Sequence, residues 1–508
     1  MPNINIKERD LTSPGIELDS SRIVYVPGYS DRGLTGTPTL CTTLAEFTEA
    51  FGNAYVFTAQ ESYPAPYTEL SVEKGQSEPS YVYAYQLIDR GIPVLFERIA
   101  MTGTKAAWTI TSATEDTKPK LCEAVAEGTW YNNLKISTTK SSNDIIVIIY
   151  ETKNSTDTEI ERILVKGADF STAYSKYVVF NPEATAYYKS TGAQELTKTG
   201  PSTSASVVSF TVSGMYTALA TSTFFDKLAD KNKYSIAYIT TGAYPVIGYS
   251  ENTIATNMIT AASLRGDCTA LVDTLDDVNA VRTWARNLGN NTADEQKAAY
   301  GACFVPFGTY EFADAVRYDM PGSFGYLMAM ANSVDTNPEW LAIAGVNRGI
   351  IKELVGLKQS YTDAQVNQLQ PRNDIAVNPI IYLNAYKSYA IWGNRTLLDN
   401  AKKGDLVAQS FLNIRQLCST LKKELYNQAR KTTFEQNSDV VWLNFKAAIV
   451  SVLDKMQSGN GIYSYQINRK ATTKKATLAA VVRIYPIEAL EDFDITVELA
   501  DDTVSVIE

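Results

Sequence analysis

Apolar and polar positions change period several times along the chain. Residues Ile4 and Ile6 alternate with polar neighbours before Ser13-Pro14-Gly15 interrupts, so the chain opens on a short extended arm. Arg22-Ile23-Val24-Tyr25-Val26 reads as a strand ending at Pro27-Gly28, and Leu44 to Phe51-Gly52 reads as a short helix with a glycine stop. From about 101 to 225, Ser and Thr become frequent and strand-like runs such as Ile145 to Tyr150 and Val207 to Val212 predominate. Between about 226 and 345, strand and helix patterns alternate: Tyr234–Ile239, Thr256–Leu264, Cys268–Val272, Val278–Leu288 and Ala302–Val305. That alternation predicts a small parallel α/β layer.

The clearest helix lies further on, where Val407, Phe411, Ile414, Cys418, Leu421 and Leu425 recur at steps of four and three. Its opposite face carries Lys422 and Lys423, and Arg430 and Lys431 stand at its end, where positive charge suits the helix dipole. A second helix is predicted from Val440 to Met456, stopping near Gly459-Asn460-Gly461. At the end, Phe493, Ile495, Val497 and Leu499 alternate with Asp494, Thr496 and Glu498, the period of a half-buried strand. A terminal strand with no neighbour in sequence leaves its backbone unpaired, so it folds back or joins the sheet of another subunit.

Length and composition narrow the reading. A chain of 508 residues exceeds one hydrophobic core, and three or four packed units are expected. Apolar residues at 45% and charged residues at 20% are ordinary for a globular protein, so the chain should fold. A net charge of −10 offers no cationic surface for phosphate neutralisation, which argues against direct contact with nucleic acid. No run reaches the roughly 18 apolar residues a bilayer requires, and the first residues lack a signal-peptide layout, so assembly in the cytoplasm and no membrane insertion are expected. The five cysteines show no short spacing and read as buried thiols of a reducing compartment.

Candidate chemistry is sparse. Without a single histidine, imidazole triads and imidazole–zinc sites are excluded. Neither a glycine-rich dinucleotide fingerprint nor a Gly-x-x-x-x-Gly-Lys-Ser/Thr loop occurs, so no cofactor is expected and no step here is driven by nucleotide hydrolysis. Asp273 follows a predicted strand, where a ribose-binding acid could sit, but without the glycines it reads better as a strand-end cap. A nucleotide-binding α/β enzyme is therefore the remote alternative.

Several motifs, in order, resemble those of the contractile phage tail sheath family. These are Ser13-Pro14-Gly15-Ile16-Glu17-Leu18, Val26 to Gly33, Tyr85 to Gly91 with Phe96 to Ile99, Trp340 to Gly349, and Asn378-Pro379-Ile380. Trp392-Gly393-Asn394-Arg395-Thr396-Leu397, Phe434 to Asn437 and Tyr485 to Glu491 complete the series. The chain departs from the pattern at Ile343, where proline is common, and at Tyr131, where a glycine is expected. The resemblance implies a discontinuous mixed α/β and α+β multidomain core with a β-rich inserted domain and extended terminal strand arms. By that analogy residues 1–20 form the N-terminal arm, 21–100 with 226–345 an α/β middle domain, 101–225 an outward insertion, and 346–508 a C-terminal core domain with its arm at 490–508. It further implies a non-enzymatic virion tail subunit that stacks as six-fold rings or a helix around an inner tail tube. Baseplate and tail terminator proteins would be its other partners, and contraction would drive the tube through an envelope for genome ejection. A bacteriocin-like or secretion apparatus is the close alternative. Expected sites are strand exchange through Ile4, Ile6, Phe493, Ile495, Val497 and Leu499, a tube-facing patch of Lys422, Lys423, Arg430 and Lys431, and a shape-holding motif of Trp392, Gly393, Asn394, Arg395 and Thr396.

Overall fold

Val24, Tyr25 and Val26 put apolar side chains on both faces of an extended segment, a pattern satisfied only where both faces are covered. In the computed structural model they belong to β1 (Val24–Gly28), which is buried throughout. The structure describes residues 22–491 apart from 111–119, 191–194, 208–209, 289–296, 313–315, 334–337 and 472–476. Ile4, Ile6, Phe493, Ile495, Val497 and Leu499 lie outside the described residues. After β2 (Thr39–Cys41), Thr43 caps α1 (Leu44–Phe51) by accepting from Glu46 N at 3.2 Å, and Gly52 ends it at φ 70°. Helix α2 (Pro79–Asp89) opens on a proline, where the missing N–H costs nothing, and leads into β3 (Val94–Arg98), which pairs parallel with β1.

An antiparallel meander follows, β4 (Leu134–Ser141), β5 (Asp144–Lys153) and β6 (Thr156–Val165). Along β5, Ile145, Val147 and Ile149 are fully buried while Ile146 and Ile148 are half-buried, the two-residue alternation of a strand. They share a separate core with Trp108, Trp130 and Phe170. Arg98, at the end of β3, ties this core to the first sheet. Its guanidinium is fully buried and donates to Ser30 O at 2.9 Å and Glu127 O at 2.8 Å while lying over the Tyr29 ring.

The strand predicted over Val207–Val212 requires correction. Among the described residues pairing covers Ser206–Val207, and α3 occupies Val212–Leu219. Thr211 accepts from Gly214 N at 3.0 Å, and Val212, Met215, Tyr216 and Leu219 bury at helical spacing, so a cap and an apolar stripe outweigh β-branching.

The predicted alternation then appears in order: β7 (Tyr238–Ile239), α4 (Thr253–Arg265), β8 (Thr269–Leu271), α5 (Val278–Leu288) and β9 (Gly301–Ala302). Its strands join the first ones in a single sheet of order β9-β8-β7-β1-β3-β2, parallel except for β2. The next strand, β10 (Phe304–Val305), changes sheet. It pairs with β11 (Asn378–Leu383), which pairs with β12 (Ser388–Ile391), and α6 (Gly322–Ala331) packs against this second sheet. The C-terminal part holds an antiparallel helix pair, α7 (Leu412–Thr432) and α8 (Asp439–Ser458), then a two-stranded ribbon, β13 (Ile462–Lys470) and β14 (Ala479–Pro486). No described helix is long and apolar enough to cross a membrane. The architecture is a multidomain mixed α/β fold of several small sheets.

Candidate functional site

In a doubly wound sheet, ligands enter the crevice where the connections diverge, here beyond the carboxyl ends of β1 and β7. That crevice is filled by the chain itself. Glu78, fully buried at the start of α2, accepts from Tyr29 N at 3.3 Å, Ser80 N at 3.1 Å, Tyr81 N at 2.7 Å and Tyr244 Oη at 2.6 Å. Gly242 follows β7 at φ 67° and lets the backbone approach so closely that a Cβ there would lie 2.1 Å from Ser80 Oγ. Burial pushes the Glu78 carboxyl up to about 7, against the opposing pull of its four donors. Asp273, beyond β8, is also fully buried and accepts from Ser323 N at 3.1 Å and Ser323 Oγ at 2.6 Å. It caps the first turn of α6, and burial raises it to about 7.

The Trp392–Thr396 motif joins three elements. Gly393 is required because a Cβ would meet Asn378 Oδ1 at 2.8 Å. Asn394 Oδ1 accepts from Asn413 N at 3.2 Å and its amide donates to Asn413 Oδ1 at 2.7 Å, fixing the start of α7. Asn378 brackets the Arg395 backbone, accepting from its N–H at 2.7 Å and donating to its carbonyl at 2.8 Å. Thr396 Oγ1 donates to Gln409 O at 2.8 Å, and Leu397 N donates to Gly301 O at 2.9 Å. The Arg395 side chain, 3% exposed, lies over Phe411 and forms an ion pair with Glu491.

Trp392, Gly393, Asn394, Arg395 and Asn413 line a groove of about 870 Å³. It is also walled by Trp340, Leu341, Arg348 and residues 487–491, so three separately predicted motifs converge on it. Trp340 is fixed by a bond from its indole N–H to Gly459 O at 2.8 Å and by Asn413 Nδ2 donating to its carbonyl at 3.1 Å.

The four basic residues of α7 do not share one surface. Lys422, Arg430 and Lys431 are exposed, with Lys422 donating to Tyr300 Oη at 2.9 Å, whereas Lys423 is buried. The first half of α7 is enclosed on nearly all sides, with Arg415, Gln416, Leu417, Ser419 and Thr420 all buried, so a two-faced reading of the helix fails there. The apolar core beneath it is built from Leu417 and Leu421 with Ile449, Val452, Leu453 and Met456 of α8; Cys418 is half-buried.

The ribbon of β13 and β14 went unpredicted, although Tyr463, Tyr465 and Ile467 recur at period two. It pairs with no third strand among the described residues, and Tyr463, Val481 and Tyr485 are exposed on it. One side of it is anchored along its length, by Ile462, Ile467, Val482 and Ile484 against the helix-pair core, Tyr465 Oη on Asp454 at 2.5 Å, Arg469 Nη1 on Asp439 at 2.6 Å and Ile487 N on Gly461 O at 3.0 Å.

No family model matches the chain. Over 152 residues, 29% of this chain, it is 27% identical to the tail sheath protein of Vibrio phage KVP40, and the match spans about a fifth (20%) of that relative. A sheath tail protein from Listeria innocua shares the fold with a TM-score of 0.56 at 11% identity, covering 92% of this chain and 96% of the other. The sheath complex of an extracellular contractile injection system in its contracted state aligns with a TM-score of 0.51 at 11% identity over 99% and 98% of the two chains. The helical sheath of the anti-feeding prophage, also contracted, gives 0.50 at 13% identity over 98% and 99%. In its fold, and over the stretch it shares with a phage relative, the chain is similar to the contractile tail sheath proteins.

Proposed function

We propose that the chain is the structural subunit of a contractile tail sheath. It polymerises around an inner tube as rings or a helix, engages baseplate and terminator proteins at the ends, and contracts to drive the tube through a host envelope. The observation that carries this reading is the ribbon of β13 and β14, whose outer edges are unpaired among the described residues. Open strand edges flanked by exposed Tyr463, Val481 and Tyr485 invite further strands. The alternating segments at Ile4 and Ile6, and at Phe493, Ile495, Val497 and Leu499, have the period to add to it from neighbouring subunits. Each backbone hydrogen bond gained adds about 0.5–1.5 kcal/mol, so two such arms link subunits by several kcal/mol while their bodies change packing.

The filled crevice supports a mechanical reading over a nucleotide-binding one, because Glu78 and Asp273 serve helix starts where a ligand would sit. Negative-stain electron microscopy of the purified chain is expected to show hollow cylinders. Deleting residues 1–18 or 490–508 should abolish them, and normal cylinders from both truncations would refute strand exchange.

A further inference from the structure

The groove around Arg395 contains one polar atom with nothing to bond. Glu491 takes Nε and Nη2 of Arg395, but Nη1 is buried without a hydrogen-bond partner. Buried donors are almost always matched by an acceptor, so Nη1 is a donor open to one. The groove around it combines apolar Trp340, Leu341, Trp392 and Leu490, the last two 40% and 72% exposed, with charged Arg348, Arg372 and Glu488.

The chain's own entry point lies close by. Arg22 sits against Glu339 and Ile343, on the same stretch whose Trp340, Leu341 and Ala342 wall the groove. From Arg22 back to Asp19 is three residues, about 10 Å of extended chain. The sequence just before reads Ser13-Pro14-Gly15-Ile16-Glu17-Leu18-Asp19. Proline biases it towards an extended form, Ile16 and Leu18 then share one face, and Glu17 and Asp19 share the other.

We propose that residues 13–19 dock into the groove of their own chain. Ile16 and Leu18 pack against Trp340 and Trp392, a main-chain carbonyl accepts from Arg395 Nη1, and the two carboxylates face Arg348 and Arg372. This is the general manner in which extended, proline-containing segments use aromatic-lined grooves. The segments before residue 22 and after residue 491 would then leave from one seat around Arg395, and only the stretch carrying Ile4 and Ile6 would be left to reach a neighbour. The inference does not rest on the sheath reading, since it concerns a contact within one subunit.

The test is photocrosslinking in the full chain, with Leu18→p-benzoylphenylalanine and equal parts isotopically heavy and light protein. Crosslinks are expected to residues 340–348, 392–395 or 487–491, joining peptides of matching isotope only. Heavy–light pairs at the same positions would mean that a second copy supplies the segment, and crosslinks elsewhere would mean that the groove is not its seat; either overturns the proposal. As a control, Trp392→Asp and Arg348→Glu, both at the groove surface, should lower the crosslink yield at least tenfold with an unchanged circular dichroism spectrum. An undiminished yield in these folded variants would also overturn it. Electron microscopy of the same samples keeps the two readings apart: cylinders without the groove crosslink defeat only this contact, and groove crosslinks without cylinders defeat only the sheath function.

Discussion

Replacing Glu78 by glutamine tests whether the filled crevice is governed by burial of a charge. Oε2 accepts from Tyr29 N and Tyr81 N, and Oε1 from Ser80 N and Tyr244 Oη. In Glu78→Gln the amide oxygen can keep the first pair. The new NH2 can donate to Tyr244 Oη but leaves Ser80 N without an acceptor, a loss of about 1–3 kcal/mol. The wild-type carboxyl titrates near 7 in the fold and 4.5 when free, so between those values the folded state holds more protons than the unfolded one. Stability of the wild type therefore falls as pH rises through that window, by about 3 kcal/mol in total, and is flat above it. Glutamine does not titrate, and Asp273, raised for the same reason, is present in both proteins and cancels. The variant should be the less stable protein at pH 5, with the gap closing or reversing by pH 8. Thermal unfolding at pH 5, 6, 7 and 8 reads this directly, at about 2–4 °C per kcal/mol for a domain of roughly 150–250 residues. A gap that stays constant across the series would show that the four donors, not burial, set the carboxyl's behaviour.

Two further predictions concern a buried glycine and an exposed set of charges. Gly242→Ala places a methyl group 2.1 Å from Ser80 Oγ at a positive φ, and should cost roughly 1–3 kcal/mol or more, measured as a lowered melting temperature; an unchanged value would mean that α2 shifts freely. Reversing the exposed charges Lys422, Arg430 and Lys431 to Glu, with buried Lys423 left intact, should spare free sheath polymers and block co-assembly on isolated tubes in a sedimentation assay; if co-sedimentation survives, the tube contact lies elsewhere.

Elements with one strong local signal were legible in the sequence. The strand-like run Ile145 to Tyr150, the Leu44–Phe51 helix with its glycine stop, and the strand–helix order from 234 to 305 all appear, though strands such as Tyr238–Ile239 are shorter than their apolar runs. Signals failed where tertiary packing decided. Val207–Val212 is β-branched, yet Thr211 starts a helix inside it, and Lys423 is buried because α7 is enclosed on several sides. The Trp392–Thr396 motif was legible as a motif, and so were those holding Asn378 and Glu491, but nothing local shows that these residues and Asn413 pair with it. Glu78 was invisible for the same reason, since an isolated glutamate before a proline reads only as a helix start. Tyr463, Tyr465 and Ile467 did carry a strand signal, overshadowed by the stronger helix before them.

The occupied crevice also bears on stiffness. A parallel sheet is held side to side by its ladder, but beyond the strand ends its neighbours diverge and nothing resists their spreading. In this fold that gap is bridged. Glu78 binds the turn after β1, the start of α2 and Tyr244 beyond β7 at once, while Asp273 fastens the next strand end to α6. Strain applied at β3 is thus passed along polar bonds of fixed length to the far side of the sheet, instead of being absorbed by an opening hinge. The position where related topologies bend to close on a ligand has become the position least able to bend.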